Sequence, residues 1–358
     1  MATLRGHNRK FYFAYITKNA TWGTLEAEGT LFPFRVDSDP FTIQPELVSD
    51  EDLVGGNEEA TLQDELKRSV SGPLSQPRVR APFLSSMLAY ALGQSTDSTQ
   101  DTAAGRHIIT PYTTDYTVRT FSALDLFDAS YYIAYHNIAV ESFELSTSRG
   151  GFLGFSSQVV GSGKHASSGL TVGSLGAALS AANLGPALKA GDCLVFRSVD
   201  AGTTVPSTYA QGTENLPGSA TNISAKIRAF SWKYNNNLIS DEAFEMGSGL
   251  YRARAERDRR SQELSMTLEF EDSTWLAYLT SQNTLALEFQ FTSGTLAGAS
   301  TVYFGVQILF PKVLLTVSSV QGGVGTLLVN ATGKVFYDGT NPTVRCTTFD
   351  RNTTGLLQ

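Results

Sequence analysis

The chain has 358 residues, 27 of them Lys or Arg and 34 Asp or Glu, for a formal net charge of −7. That acidity argues against a protein that wraps duplex DNA by neutralising phosphates, but not against a wall past which DNA slides. Hydrophobic residues at 41% exclude a disordered chain, and 358 residues suggest two domains at roughly 100–200 residues each.

From the N-terminus, Arg5, Arg9 and Lys10 precede the apolar run Phe11–Ile16. The run is too short for a secretory signal, which needs about 7–15 apolar residues and a small-residue cleavage site. No window approaches the roughly 18 apolar residues of a membrane span, so no membrane segment is expected. Phe83-Leu84, Met87-Leu88 and Ala91-Leu92 recur at helical spacing, with Pro82 at the start and Gly93 as a stop. Leu153, Phe155 and Val159 alternate with Gly154, Ser156 and Gln158, the period of a strand. The Ala-rich stretch from Leu175 to Leu184 is a weak helix candidate, interrupted by glycines.

Lys226, Arg228, Phe230, Trp232 and Tyr234 are expected on one strand face. From Glu263 to Phe270 the apolar Leu264, Met266, Leu268 and Phe270 alternate with the polar Glu263, Ser265, Thr267 and Glu269. A short helix over Trp275-Leu276 and Leu279 follows, with Asp272 or Ser273 as its cap. Leu285, Leu287, Phe289 and Phe291, then Val302 through Phe310, continue the strand period. Each such strand should bury one face and turn the other to water or a partner.

The chain also repeats itself. Leu47–Leu53 recurs as Leu238–Phe244, and Lys67-Arg68-Ser69 as Arg259-Arg260-Ser261. Leu88-Ala89-Tyr90 with Gln94 recurs as Leu276-Ala277-Tyr278 with Gln282. Gly150-Gly151 recurs as Gly322-Gly323, and Gly163-Lys164 as Gly333-Lys334. The matches keep one order, which points to a duplicated unit. The expected division is residues 1–190 and 191–358, with the Gly/Ala/Ser-rich segment 161–222 as an insertion or linker.

The residues offer little chemistry. His7, His107, His136 and His165 lack partners at metal-ligand spacing, so neither a metal nor a cofactor is expected. Gly161-Ser162-Gly163-Lys164 resembles the end of a phosphate loop, but Gln158 and His165 stand where that motif needs Gly and Ser or Thr. Cys193 and Cys346 read as free, packed thiols. Glu269 and Glu271 share a strand face, but nothing else builds a catalytic pair, and no enzyme is expected. Two charge clusters remain. The acidic one includes Asp50, Glu51 and Asp52, echoed by Asp241 and Glu242, and the basic one comprises Arg252, Arg254, Arg257, Arg259 and Arg260. They are candidate subunit contacts, since opposite patches fix register and partner choice.

Acidic loop, mixed-charge stretch, strand and short Leu/aromatic helix, in the order Leu47–Leu53, Lys67–Gly93, Phe143–Gly163 and Ile223–Leu279, resemble the major tail tube proteins of tailed bacteriophages. The resemblance implies a mainly β fold: two tandem β-sandwich domains, each with a short flanking α-helix. Their sheets would join between subunits into a closed β-barrel tube that conducts DNA during ejection. It implies a structural protein of the viral tail, present in the host cytoplasm during assembly. Two domains per chain favour a homotrimeric, pseudo-six-fold ring over a hexameric one, with rings stacking into a tube. Partners would be a tape-measure protein, tail-terminator or tail-tip proteins, and transiently DNA. The alternative is a β-sandwich that does not polymerise, such as a capsid decoration or receptor-binding module.

Overall fold

The computed structural model describes residues 9–37, 41–49, 63–114, 116, 118–128, 130–199, 210–216, 218, 220–239, 243–269, 283–322 and 327–358. The elements of the first half are β1 (Lys10–Ala14), β2 (Leu31–Phe34), β3 (Thr42–Ser49), β4 (Gln63–Gln76), α1 (Ala81–Leu92), β5 (Gly93–Gln100), β6 (Ala104–Pro111), β7 (Thr120–Asp128), β8 (Tyr131–Ser148) and β9 (Gly154–Gly161). The two-residue β10 (His165–Ala166) and the single helical turn α2 (Ala181–Leu184) lie in the Gly/Ala/Ser-rich segment, where glycines limit the Ala-rich stretch to one turn. Then come β11 (Cys193–Ser198), β12 (Thr221–Asn222), β13 (Ile227–Asn235), β14 (Ser261–Glu269), β15 (Thr284–Leu296), β16 (Tyr303–Gln321), β17 (Leu328–Val335) and β18 (Arg345–Asp350). The protein is mainly β, and among the described residues every strand pairing is antiparallel.

One order of neighbours occurs twice. In the first half β3 pairs β4, β4 pairs β9, β9 pairs β8, β8 pairs β7 and β7 pairs β1. In the second, β13 pairs β14, β14 pairs β17, β17 pairs β16, β16 pairs β15 and β15 pairs β11. The registers agree as well. Gln44 faces Ser69, and Asn235 faces Ser261, the same relation that aligns Leu47 with Leu238. The Gly163-Lys164 match is misplaced, however. Ser71 faces Val160 and Glu263 faces Lys334, so Val160 rather than Lys164 corresponds to Lys334.

Among the described residues, two strand pairings join the halves. The C-terminal part of β8 pairs β13, from Ser142↔Asn235 to Ser148↔Ala229. β18, which pairs β16, also pairs β6, with Cys346 opposite Ile109. One hydrophobic cluster runs through both halves, from Phe11 to Leu356. The sheet does not close on itself within the chain among the described residues.

All twelve residues of α1 are buried. A helix apolar all round belongs inside a fold, so α1 is an interior element rather than a flanking one. It contacts β5, β6, β8 and β18. Its two serines are satisfied: Ser85 Oγ donates to Asp350, and Ser86 Oγ to the Tyr15 carbonyl. Gly93 caps it in the left-handed conformation (φ 94°), as its position in the sequence suggested. The corresponding second helix, at Trp275 to Leu279, lies outside the described residues.

The alternation in β14 holds over its first part: Leu264, Met266 and Leu268 are buried while Glu263 and Ser265 are exposed, but Glu269, expected on the polar face, is buried against Arg228, and Phe270 lies outside the described residues. In β15 the polar face is buried too. Residues 210–216 cover it, with Asn215 donating from its backbone N–H and Nδ2 to Glu288 (2.8 and 2.9 Å) and Gly212 N–H to Gln290 Oε1 (3.1 Å). Lys226 and Arg228 do not share the face of Phe230, Trp232 and Tyr234. Lys226 precedes β13, and an irregularity between Ile227 and Ala229 breaks the register.

The phosphate-loop look-alike has a packing explanation. A Cβ on Gly161 would meet Ile138 at 2.7 Å, and one on Gly163 (φ 87°) would meet the Arg68 carbonyl at 2.1 Å. Gly163→Ala should therefore lower stability by more than about 1 kcal/mol, measured as an earlier denaturation midpoint. Unchanged stability would contradict this assignment.

Candidate functional site: the polar face of a long ribbon

Eight strands form a continuous ribbon in the order β3–β4–β9–β8–β13–β14–β17–β16, four from each half. The two long strands, β8 and β16, also reach out of it, because their N-terminal parts pair with β7 and β15. One ribbon face is the core wall: Phe143, Leu145, Phe155, Trp232, Leu264 and Met266 are buried there. Alternation then puts Ser142, Glu144, Ser156, Ser231, Lys233 and Ser265 on the opposite face, where two shallow depressions run along the sheet.

Charge on this face is ordered. Glu144 lies opposite Lys233, Lys233 opposite Glu263, and Glu263 opposite Lys334. Signs alternate across four strands, with Lys233 Nζ 3.9 Å from Glu144 Oε2. Such cross-strand pairs of opposite charge are mildly favourable, whereas like charges opposite each other are not. Between the charges are hydroxyls and amides that satisfy one another. Ser231 Oγ donates to Glu144 (2.6 Å), Thr267 Oγ1 to Asn330 (2.8 Å), and Asn330 Nδ2 to Ser319 Oγ (2.9 Å). The face is wettable and close to charge balance. Of its residues the sequence pointed to Ser156, Glu263, Ser265 and Thr267 as the polar half of an alternation, and to Lys334 through the repeat; Ser142, Glu144, Ser231 and Lys233 carried no such signal.

The basic cluster divides. Arg257 and Arg260 turn inward: Arg257 Nη2 and Arg260 Nη1 both donate to the Tyr112 carbonyl (3.0 and 2.7 Å), beside the end of α1. Burial holds the Arg260 guanidinium below its usual pKa, partly offset by Tyr234. Arg252 lies over the Phe244 ring, and Lys67 on β4 is near that same ring. Arg254 pairs with Glu245 (3.0 Å), and both Arg254 and Arg259 are exposed. Glu46 pairs with Lys67 (3.0 Å) and Glu65 with Arg68. Asp50, Glu51, Asp52, Asp241 and Glu242 lie outside the described residues. Arg257→Glu and Arg260→Glu should each destabilise the monomer by about 1–3 kcal/mol, because each turns a carboxylate toward a carbonyl that accepts from a guanidinium. Arg259→Glu should leave stability within about 0.5 kcal/mol. Denaturant midpoints that do not separate the two groups would contradict this division.

Glu269 pairs with Arg228 and Arg149, and Glu271 lies outside the described residues. Among the described residues there is no cluster of three or more His, Cys, Asp or Glu able to hold a metal ion, and no helix long and apolar enough to cross a membrane. Both cysteines are free; burial pushes the Cys346 thiol pKa well up.

A comparison with curated proteins found no match. The sequence model of the family described as phage tail tube protein matches residues 7–349, nearly the whole length. An extended polar-faced ribbon, joining two similarly paired halves, is thus found in a chain that belongs to the phage tail tube protein family.

Proposed function

We propose that this protein polymerises into the tube of a phage tail and that the polar ribbon face lines the lumen through which DNA passes. The observation that carries the reading is the eight-strand ribbon, core-packed on one side and polar on the other. Each half contributes four of its strands in the same order. Two copies of one tube domain per chain, divided near residue 190, account for this. Three chains then complete a pseudo-six-fold ring, with twenty-four strands in a closed barrel. Closure removes sheet edges that would otherwise invite uncontrolled pairing. Contacts around the ring are heterologous and close by rotation, whereas stacking of rings is open-ended. Tube length is therefore set by another component, a tape-measure protein, and growth is stopped by terminator or tip proteins.

The wall suits a conduit through the balance of its charges rather than through strong acidity. Lys233 and Lys334 each stand between or beside glutamates, so no run of cations is offered to phosphate. Arg254, Arg259 and the acidic segments containing Asp50–Asp52 and Asp241-Glu242 are proposed contacts between subunits. Electron microscopy of the purified protein under assembly conditions should reveal rings or tubes with a central hole. Discrete particles that never polymerise would overturn the reading in favour of a decoration or receptor-binding module. Tubes carrying Ser146→Arg, Ser231→Arg and Ser265→Arg should retain linear DNA in a salt-dependent way that wild-type tubes do not. Equal retention by both would remove the polar face from the lumen.

A further inference from the structure

The junction inside the chain supplies a template for the junction between chains. On β8, one edge is used first by β7, up to Ala139, and then by β13, from Ser142 to Ser148. On β16, the same edge is used by β15 up to Leu314. Beyond that point, among the described residues, Leu315–Gln321 pairs only with β17 on the other edge. The strand that corresponds to β13 is β3. β13 is paired on both edges, by β14 and β8, whereas among the described residues β3 is paired only by β4. The ribbon therefore ends in two open edges, and each is the counterpart of an edge joined at β8–β13.

Exposure follows the same pattern. Phe143 and Leu145 on β8 are 3% and 0% exposed beneath the junction with β13. Their counterparts on β16 are fixed by the pairings with β9 and β17: Phe143 faces Ser157, and Val317 faces Ala331. Val317 and Val320 are 38% and 57% exposed. An apolar strand edge with unpaired backbone groups is an unstable surface unless another strand covers it.

Resting on the tube reading, we infer that the start of β3, residues 42–44, of one copy pairs antiparallel with residues 316–318 of β16 in the next copy, in the register of β13 on β8. Tyr234 faces Phe143 and Asn235 faces Ser142 in the template. Transferred to the open edges, Ile43 faces Val317 and Gln44 faces Thr316 of the neighbouring chain. Pro45 falls just beyond the paired stretch. It stands where Asn236 donates its backbone N–H to the Glu141 carbonyl (2.8 Å), and having no N–H it ends the new ladder there. The occupant of each edge is thus a second copy of this chain.

The test is disulfide trapping in assembled tubes, because directly opposed strand residues lie within bridging distance. Gln44→Cys with Thr316→Cys, and separately Ile43→Cys with Val317→Cys, should give covalent ladders on oxidation. Single variants should give none, and the shifted pair Gln44→Cys with Ser319→Cys at least tenfold less. Ladders ending at three chains support both the pairing and the trimeric ring; longer closed ladders support the pairing and overturn the three-chain count. Absence of cross-links in both matched pairs, with tubes visible by microscopy, overturns the pairing and leaves the tube reading intact. On the unmodified protein, amide exchange in residues 42–44 and 316–318 should slow at least tenfold on assembly. No slowing there would overturn the inference independently of any variant.

Discussion

Trp232→Ala should lower stability by about 3–5 kcal/mol, the range for truncating a large buried aromatic. Trp232 is fully buried on β13. Its ring meets Phe143 on β8 edge-on at 4.9 Å and Phe310 on β16 at 5.3 Å. One side chain therefore joins the ribbon's internal junction to the layer behind it. Truncation leaves a cavity at the junction and removes packing from both halves at once. A loss of this size should lower the melting temperature by roughly 4–7 °C in a chain of 358 residues. Calorimetry that finds a loss below about 1 kcal/mol would contradict the placement of Trp232 at a shared core.

The second large effect is pH-dependent. His107 on β6 is buried between two carboxylates, with Nδ1 2.6 Å from Asp97 and Nε2 3.3 Å from Asp350. Burial alone lowers its pKa, but hydrogen bonds and charge from Asp350 and Asp97 outweigh that and raise it to about 9. Asp350 also accepts from Ser85 Oγ on α1 (2.8 Å) and from the backbone of Asn352 (2.7 Å). The cluster thus ties β5, β6, α1 and β18 together across the second junction between the halves. A folded-state pKa raised above the unfolded value near 6.5 stabilises fully below about 6.5 and is lost as pH rises through about 9. Stability should therefore fall by roughly 3 kcal/mol between pH 6 and pH 10 on account of this group. Asp350→Asn should lower stability at pH 6 by about 3 kcal/mol, since it leaves a buried imidazolium with one partner fewer, and should flatten the alkaline decline. An alkaline decline of the same size in His107→Gln would sink the assignment.

What the sequence made readable follows from which contacts are local. Period-two alternation identified β14 because one face meets the core and the other meets solvent. It misjudged β15, because Glu288 and Gln290 are covered by residues 210–216, a contact with no local signature. The helix over Phe83–Leu92 was readable from its spacing and its Gly93 stop. That it is buried on every side follows from strands that arrive much later in the chain. The arginine run looked like one surface cluster, but long-range acceptors at Tyr112 and Leu92 draw Arg260 inward while Arg259 stays out. The repeated motifs pointed to recurring organisation. The pairing of β13 with β8, which turns two four-strand sets into one ribbon, depends on edges and could not be read from motifs.

The central claim is that three copies of this chain close one ring with the polar ribbon face inward. A cryo-electron microscopy reconstruction of the assembled tube tests it most directly. Three chains per ring are expected, with Ser146, Ser231 and Ser265 on the lumen wall and β3 beside the C-terminal part of a neighbour's β16. Six chains per ring, or those serines on the outer surface, would contradict it.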